Sequence, residues 1–461
     1  MRTARLLAAI TSFILVFVLI GSAQTVSFVH LFDVTDGQYP AFEAFAQGRD
    51  GNLYGTTYGG GASGDGTVFR QSSTGSGNVV LHSFSGSDGA NPLSGLTLGS
   101  DGNFYGTTVS GGAFGWGTLY KIGEDGTFTL LYSFTGGADG GFPEAAPTLA
   151  ADGNFYGTTA GVAPNVYPTV YRYSSSHGLT TIYTFSLVTA QPTGWVTQAS
   201  NGELYVAAQR GGPQNCGSIT AMTTSGTAGA NYDFPCNPPG GEEPIDGLTL
   251  ASDGNLYGTT GAGGEHKKGT IFTFNVESRT ITFLYSFGSA PGDGEFPYAG
   301  LVQGSDGNLY GSTADGGASR SGTLFQITLA GGYTQLYSFA KAYMYSVTGG
   351  LGQQTGGLFF GTTDGGGADG AGAVFTLSMG LGPFVAFVQP TGTVAGSAEI
   401  LGQGLTGTTS VTFNGVAATT FSVKTDTYMT AVVPAGATTG PVVVTTPSGT
   451  LTSNVNFRIS Q

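Results

Sequence analysis

The sequence predicts an all-β chain: a seven-bladed β-propeller closed by its own N-terminal strand, followed by a small β-sandwich. Three observations carry this. An eight-residue phrase returns seven times: DGNLYGTT from Asp50, DGNFYGTT from Asp101 and Asp152, DGNLYGTT from Asp253, DGNLYGST from Asp306, a divergent NGELYVAA from Asn201, and GGLFFGTT ending at Thr363. Its sixth residue falls at Gly55, Gly106, Gly157, Val206, Gly258, Gly311 and Gly361, spaced by 51, 51, 49, 52, 53 and 50. A second phrase of the LYSF type follows six of these hairpins, at 79–84, 129–134, 180–185, 230–234, 282–287 and 334–339, while its seventh copy, VSFVHLF, stands before them all at 26–32. After Phe375 the period stops, and residues 383–459 are rich in Val and Thr with no DGN phrase.

Taken in order, residues 1–23 read as an export signal, with Arg2 and Arg5 ahead of an apolar run from Leu6 to Ile20 and the small residues Gly21-Ser22-Ala23. The run is short of the ~20 residues a membrane span needs. The propeller is expected over 24–380. In its second unit, Leu96–Ser100 forms a short strand, Asp101-Gly102 a turn, Asn103–Thr108 a second strand, Ser110–Trp116 a Gly-rich loop, Thr118–Ile122 a third strand, and Thr127–Phe134 a fourth. Asp-Gly between alternating apolar runs marks a hairpin, because glycine accepts the positive φ of the turn. Four antiparallel strands repeated about every 50 residues are the arithmetic of a propeller. Seven hairpins against six closing strands leave the last blade one strand short, and 26–32 supplies it, which removes exposed sheet edges. Residues 381–461 form the sandwich, with strands expected in 410–416, 430–436, 440–449 and 454–459.

Glycine is abundant, at 82 of 461 residues, and only 9% of residues are charged. The net charge of −14 becomes −16 once the two arginines of 1–23 are removed. So acidic a surface disfavours nucleic acid and anionic membrane as partners. The only cysteines, Cys216 and Cys236, stand at the open end of a hairpin turning at Ser225-Gly226, which places them opposite each other for a disulfide. His30 and His82 occupy the place of Tyr132, Tyr183, Tyr285 and Tyr337 in the LYSF strand, so they read as variants of a packing position.

In a propeller the loops entering each blade share a face with those joining its second and third strands. That face collects Asp36, Asp65, Asp88, Asp139, Asp293, Asp315, Asp364 and Asp369 together with Tyr39, Trp116, Phe142 and Phe296. Of these, Asp36, Tyr39, Asp88, Trp116, Asp139, Phe142, Asp293 and Phe296 are the candidate ligand-binding residues, carboxylates for sugar hydroxyls and flat rings for stacking. Turn chemistry asks for the same residues. A calcium ion would suit the carboxylates, though no dense Asp-x-Asp loop occurs; no cofactor, metal centre or catalytic residue is assigned. The reading is a secreted or cell-surface, non-enzymatic protein that binds a glycan or another protein. A polysaccharide-degrading glycosidase or lyase and a structural spacer stay open as alternatives, and oligomeric state is not readable.

Two resemblances add to this. The order SVTFNGVAA, DTYMTAVVPAGATTGPVVVTTPSGT and NFRI, with its Phe413-Asn414-Gly415 turn and Val433-Pro434 stretch, resembles an IPT/TIG immunoglobulin-like domain. That implies an interaction or spacer module. The LYGTT phrase, the GGxxxxGT(L/V/I)F segment after it and the LYSF strand resemble the bacterial GloVer tandem-repeat family over about residues 26–377. This implies an exported propeller and supplies no chemistry. The fourth copy departs most, with Val206-Ala207-Ala208 in place of Gly-Thr-Thr.

Overall fold

A computed structural model describes residues 24–40, 44–74, 77–161, 165–186, 191–340, 347, 349–366 and 369–460. The expected export signal at 1–23 lies outside the described residues. The chain is all-β, and none of the described residues lies in a helix. None of them therefore forms a helix long and apolar enough to cross a membrane.

Every copy of the phrase builds the same antiparallel sheet. In the second copy the strands are Thr97–Leu98, Phe104–Thr108, Thr118–Ile122 and Phe128–Ser133, paired in chain order. The first is two residues long rather than the five expected, because Gly99 already opens the turn: its N–H donates to Asn103 O and its carbonyl accepts from Gly102 N. Seven such sheets follow one another along the chain. In the seventh, Thr25–Leu31 pairs antiparallel with Ala373–Ser378, so the N-terminal strand does complete the sheet whose other strands come last. Consecutive sheets share apolar clusters. Phe32 and Phe360 of the seventh likewise pack with Leu53 and Phe69 of the first.

Each letter of the phrase has a physical role. Asp101 accepts from Asn103 N at 3.1 Å, Asn103 Nδ2 at 2.7 Å and Tyr105 OH at 3.0 Å, tying turn to strand. The divergent copy keeps this triangle with the roles exchanged: Glu203 accepts from Asn201 Nδ2 at 2.7 Å and Tyr205 OH at 2.9 Å. The first threonine reaches the next sheet, as in Thr107 Oγ1 to Ala145 O at 3.0 Å. The second pairs hydroxyls across its own sheet, as in Thr108 with Thr118 at 2.7 Å. The glycine makes room: a Cβ on Gly106 would lie 2.5 Å from the Tyr120 hydroxyl.

Cys216 and Cys236 form the expected disulfide, with Cα atoms 5.6 Å apart. After residue 384 the chain forms two further four-stranded sheets. One contains Ala386–Phe387, Ser397–Leu401, Tyr428–Val432 and Phe421–Val423; the other contains Val416–Ala417, Ser410–Phe413, Val442–Thr446 and Gly449–Thr452. Ile400, Val411, Phe413, Met429, Val444 and Phe457 fill the space between them. The last expected strand shrinks to Arg458–Ser460, which pairs in parallel with Thr391–Thr393. This segment docks on the face that carries the Asp-Gly turns. There Arg49 donates to Glu399 at 2.9 Å and Ser100 O at 2.7 Å, and its guanidinium lies 4.6 Å from the Tyr428 ring centroid.

Candidate functional site

The opposite face carries the loops singled out in the sequence, and there the acids have internal work. Asp88 accepts from Ser85 N at 2.9 Å and lies 2.9 Å from His82 Nε2. Asp139 accepts from Tyr132 OH at 3.0 Å and Thr135 N at 2.7 Å, and Asp293 accepts from Tyr285 OH at 2.8 Å and Gly288 N at 2.9 Å. Asp36 accepts from Asp33 N and lies 2.8 Å from His30 Nε2. The His/Tyr position of the LYSF strand is therefore a polar partner for the next loop's acid as well as a packing position. Asp139 and Asp293 are buried, 9% and 6% exposed, which turns them away from any ligand on this surface.

The aromatics before proline share an unusual backbone. Tyr39, Phe142 and Phe296 have φ of 54°, 59° and 58°, and Asn91 and Glu243 occupy the same slot at 59° and 61°. The hydrogen bonds explain this. Phe142 N donates to Trp116 O in the preceding sheet's loop, and its carbonyl accepts from Ala160 N. The left-handed residue thus clips two neighbouring loops together, and its cost of about 1–3 kcal/mol is offset by two backbone bonds. Three of the four candidate rings are engaged by neighbours. Trp116 meets Phe142 edge-on at 5.1 Å, and Lys268 covers Phe296 at 4.6 Å. Tyr39 alone stands free, at 49% exposed, and Tyr58, near the end of a strand, and the loop residues Phe114, Tyr167 and Tyr298 add further rings at 40%, 59%, 42% and 38%. Sequence reading passed over these four because they break the repeat pattern.

A second region lies along the inner strands. Just before each inner strand stands a small residue, Ala44, Gly95, Ala146, Gly247, Gly300 or Gly350, except in the fourth sheet, where it is Trp195. The indole lies across the next two sheets: a Cβ on Gly247 or Gly300 would come within 2.1 or 2.3 Å of it. Its Nε1 donates to Leu248 O at 3.1 Å. Two acids sit close to this level. Asp246 accepts from Gly247 N at 2.8 Å and from Gly300 N, in the next sheet, at 2.6 Å, yet burial pushes its pKa up to about 7. Burial likewise pushes Glu144 to about 7. Glu144 departs from the repeat at a position filled in every other copy by a neutral residue, and that departure was the readable signal; the place of Asp246 carries an acid in one other copy, Glu43.

A raised carboxyl pKa favours the folded state at low pH. The contribution of Glu144 is complete below the ordinary carboxylate range and is lost as pH rises through about 7. Glu144→Gln is therefore expected to reduce the loss of stability between pH 5 and pH 8 by roughly 1–3 kcal/mol. Urea unfolding of both proteins at the two pH values measures this, and parallel pH profiles would contradict it.

Between the inner strands of the third to fifth sheets and the C-terminal segment lies a cavity of about 540 Å³, walled mainly by apolar groups and floored by Trp195. Arg458 is the cation on its wall, and desolvation lowers its pKa. Among the described residues no carboxylate pairs with it. Nor do three His, Cys, Asp or Glu side chains gather anywhere among those residues as a metal-ligand cluster.

The sequence matches the Gloeobacter/Verrucomicrobia repeat family over residues 15–197 and 187–375. The chain belongs to this family. No curated protein matches this repeat protein in sequence. Among solved structures it resembles an oligogalacturonate lyase from Vibrio parahaemolyticus, at 12% identity and a TM-score of 0.51, over 77% of this chain and 93% of that one. It also resembles a putative 6-phosphogluconolactonase from Bacteroides fragilis, at 15% identity and 0.49, over 68% and 88%. The first of these likenesses establishes a β-propeller-like fold for the repeat protein and nothing of its chemistry.

Proposed function

We propose that the repeat protein is an exported, non-enzymatic binding protein. In this reading the repeats form a closed seven-bladed propeller over about 24–380, an immunoglobulin-like IPT/TIG module of about 381–461 caps the turn face, and the loop face meets carbohydrate. One observation carries it. The C-terminal segment covers the turn face, while five of the exposed large side chains, Tyr39, Tyr58, Phe114, Tyr167 and Tyr298, stand in or beside the loops opposite, contributed by several of the repeats. Flat rings held on short, hydrogen-bonded loops suit stacking on sugar faces. The carboxylates of this face support the loops, so the rings take over the role first given to the acids. An oxidised cysteine pair agrees with an extracellular setting.

Glycan-array binding followed by titration of the best glycan tests this. The combined variant Tyr39→Ala/Tyr58→Ala/Phe114→Ala is expected to bind at least tenfold more weakly, since each ring contributes about 0.5–1.5 kcal/mol, with an unchanged melting temperature. Unaltered binding, or release of shortened products from the same glycans, would sink the proposal.

A further inference from the structure

We propose that the cavity between the inner strands and the C-terminal segment binds a small carboxylate with a ring-shaped body, Arg458 taking the carboxylate and Trp195 the ring. This stands apart from the loop-face reading, since it concerns the opposite side of the molecule. The volume of about 540 Å³ is that of an ordinary small-ligand site. The walls are apolar where a ring would lie, and the indole of Trp195 offers a flat floor held by its bond to Leu248 O. No other copy of the repeat places a large side chain there, so this floor exists only beside the third to fifth sheets, where the cavity is.

The polar chemistry is selective. A guanidinium presents a planar fork that matches a carboxylate through two parallel hydrogen bonds. Every other described arginine or lysine that forms an ion pair is spent on a named acid, as Arg49 is on Glu399, Lys268 on Glu295 and Arg279 on Glu203. Arg458 has none. The one acid on the cavity wall, Asp253, is engaged with Asn255 N at 3.0 Å, Asn255 Nδ2 at 2.8 Å and Tyr257 OH at 2.8 Å. Its charge is therefore directed into the turn. The ligand would touch both parts of the chain, inner strands through Trp195 and the C-terminal segment through Arg458, so binding would hold the two together.

Tryptophan fluorescence gives a local test, because Trp116 and Trp195 are the only tryptophans. In full-length Trp116→Phe protein, Trp195 is the sole reporter. Galacturonate and glucuronate, as sugar acids, and phenylacetate and benzoate, as aromatic acids, are titrated beside galactose and benzamide. At least one carboxylate is expected to change the emission saturably with one site per chain, its neutral analogue at least tenfold more weakly. Which of the two groups binds tells sugar acid from aromatic acid. Adding Arg458→Gln should weaken the carboxylate at least tenfold and leave the melting temperature of the free protein unchanged. Equal binding of acid and neutral analogue, equal binding by Arg458→Gln, or no response to any of the four acids overturns the proposal. Should Arg458→Gln fail to fold, Arg458→Lys is used instead. It keeps the charge and loses the fork, and is expected to bind with intermediate affinity.

Discussion

Phe32→Ala is expected to destabilise the protein by about 3–5 kcal/mol, as much as the same change at Phe84. The two residues hold equivalent places, each closing an LYSF-type strand and each buried, at 2% and 0% exposed. Phe84 is joined to its sheet by continuous chain, whereas Phe32 comes from the far end of the sequence. Its ring meets Phe69 edge-on at 5.1 Å, and its N–H donates to Gly372 O at 3.0 Å, so it touches the first and the seventh sheet together. Losing the ring leaves a cavity at that seam. The strand Thr25–Leu31 is held by Ala373–Ser378 alone on its hydrogen-bonded side and is half-exposed along its length. Its release should therefore precede global unfolding, visible as early proteolytic cleavage before residue 40 in the variant. Urea denaturation of Phe32→Ala and Phe84→Ala measures the comparison. A loss below about 1 kcal/mol at Phe32 against a full loss at Phe84 would show that the N-terminal strand is an accessory rather than a member of the sheet.

The same contrast explains what the sequence could disclose. Repetition made the scaffold legible, because seven copies of one phrase vote on every turn and strand. It even exposed the borrowed strand, through a count of six against seven. The site was less legible for the same reason. Asp88, Asp139 and Asp293 recur where their loops need them, so recurrence alone does not separate a carboxylate that holds a loop from one offered to a ligand. What is singular in the molecule, Trp195 among small residues, Glu144 among neutral ones, Arg458 beside a cavity, belongs to no pattern. Its meaning depends on which distant strands lie beside it. Arg458 and Trp195 are 263 positions apart in the sequence, and no spacing rule joins them.

The divergent fourth copy allows a stricter test of how the repeat works, and its outcome should be the larger in energy after Phe32. In six sheets the phrase glycine faces an aromatic across the strand pair: Gly55 opposite Phe69, Gly106 opposite Tyr120, Gly157 opposite Tyr171, Gly258 opposite Phe272, Gly311 opposite Phe325 and Gly361 opposite Phe375. The ring lies over the bare Cα; a Cβ on Gly311 would stand 2.5 Å from Phe325 Cζ. In the fourth sheet the pair is Val206 opposite Thr220. The glycine has gained a branched side chain, and the residue opposite has lost its ring, so volume is exchanged across the pair. Gly311→Val should then overpack and cost about 1–3 kcal/mol or more, while Thr220→Phe should clash with Val206 and forfeit the 2.9 Å bond from Thr220 Oγ1 to Asn231. Restoring the common pattern with Val206→Gly/Thr220→Phe should recover much of the loss. A double-mutant cycle by urea denaturation is expected to give a favourable coupling of about 1–3 kcal/mol. Additivity within about 0.5 kcal/mol would mean that glycine and ring are retained for separate reasons. Coupling would mean that the pair, and not the glycine alone, is the unit the repeat preserves.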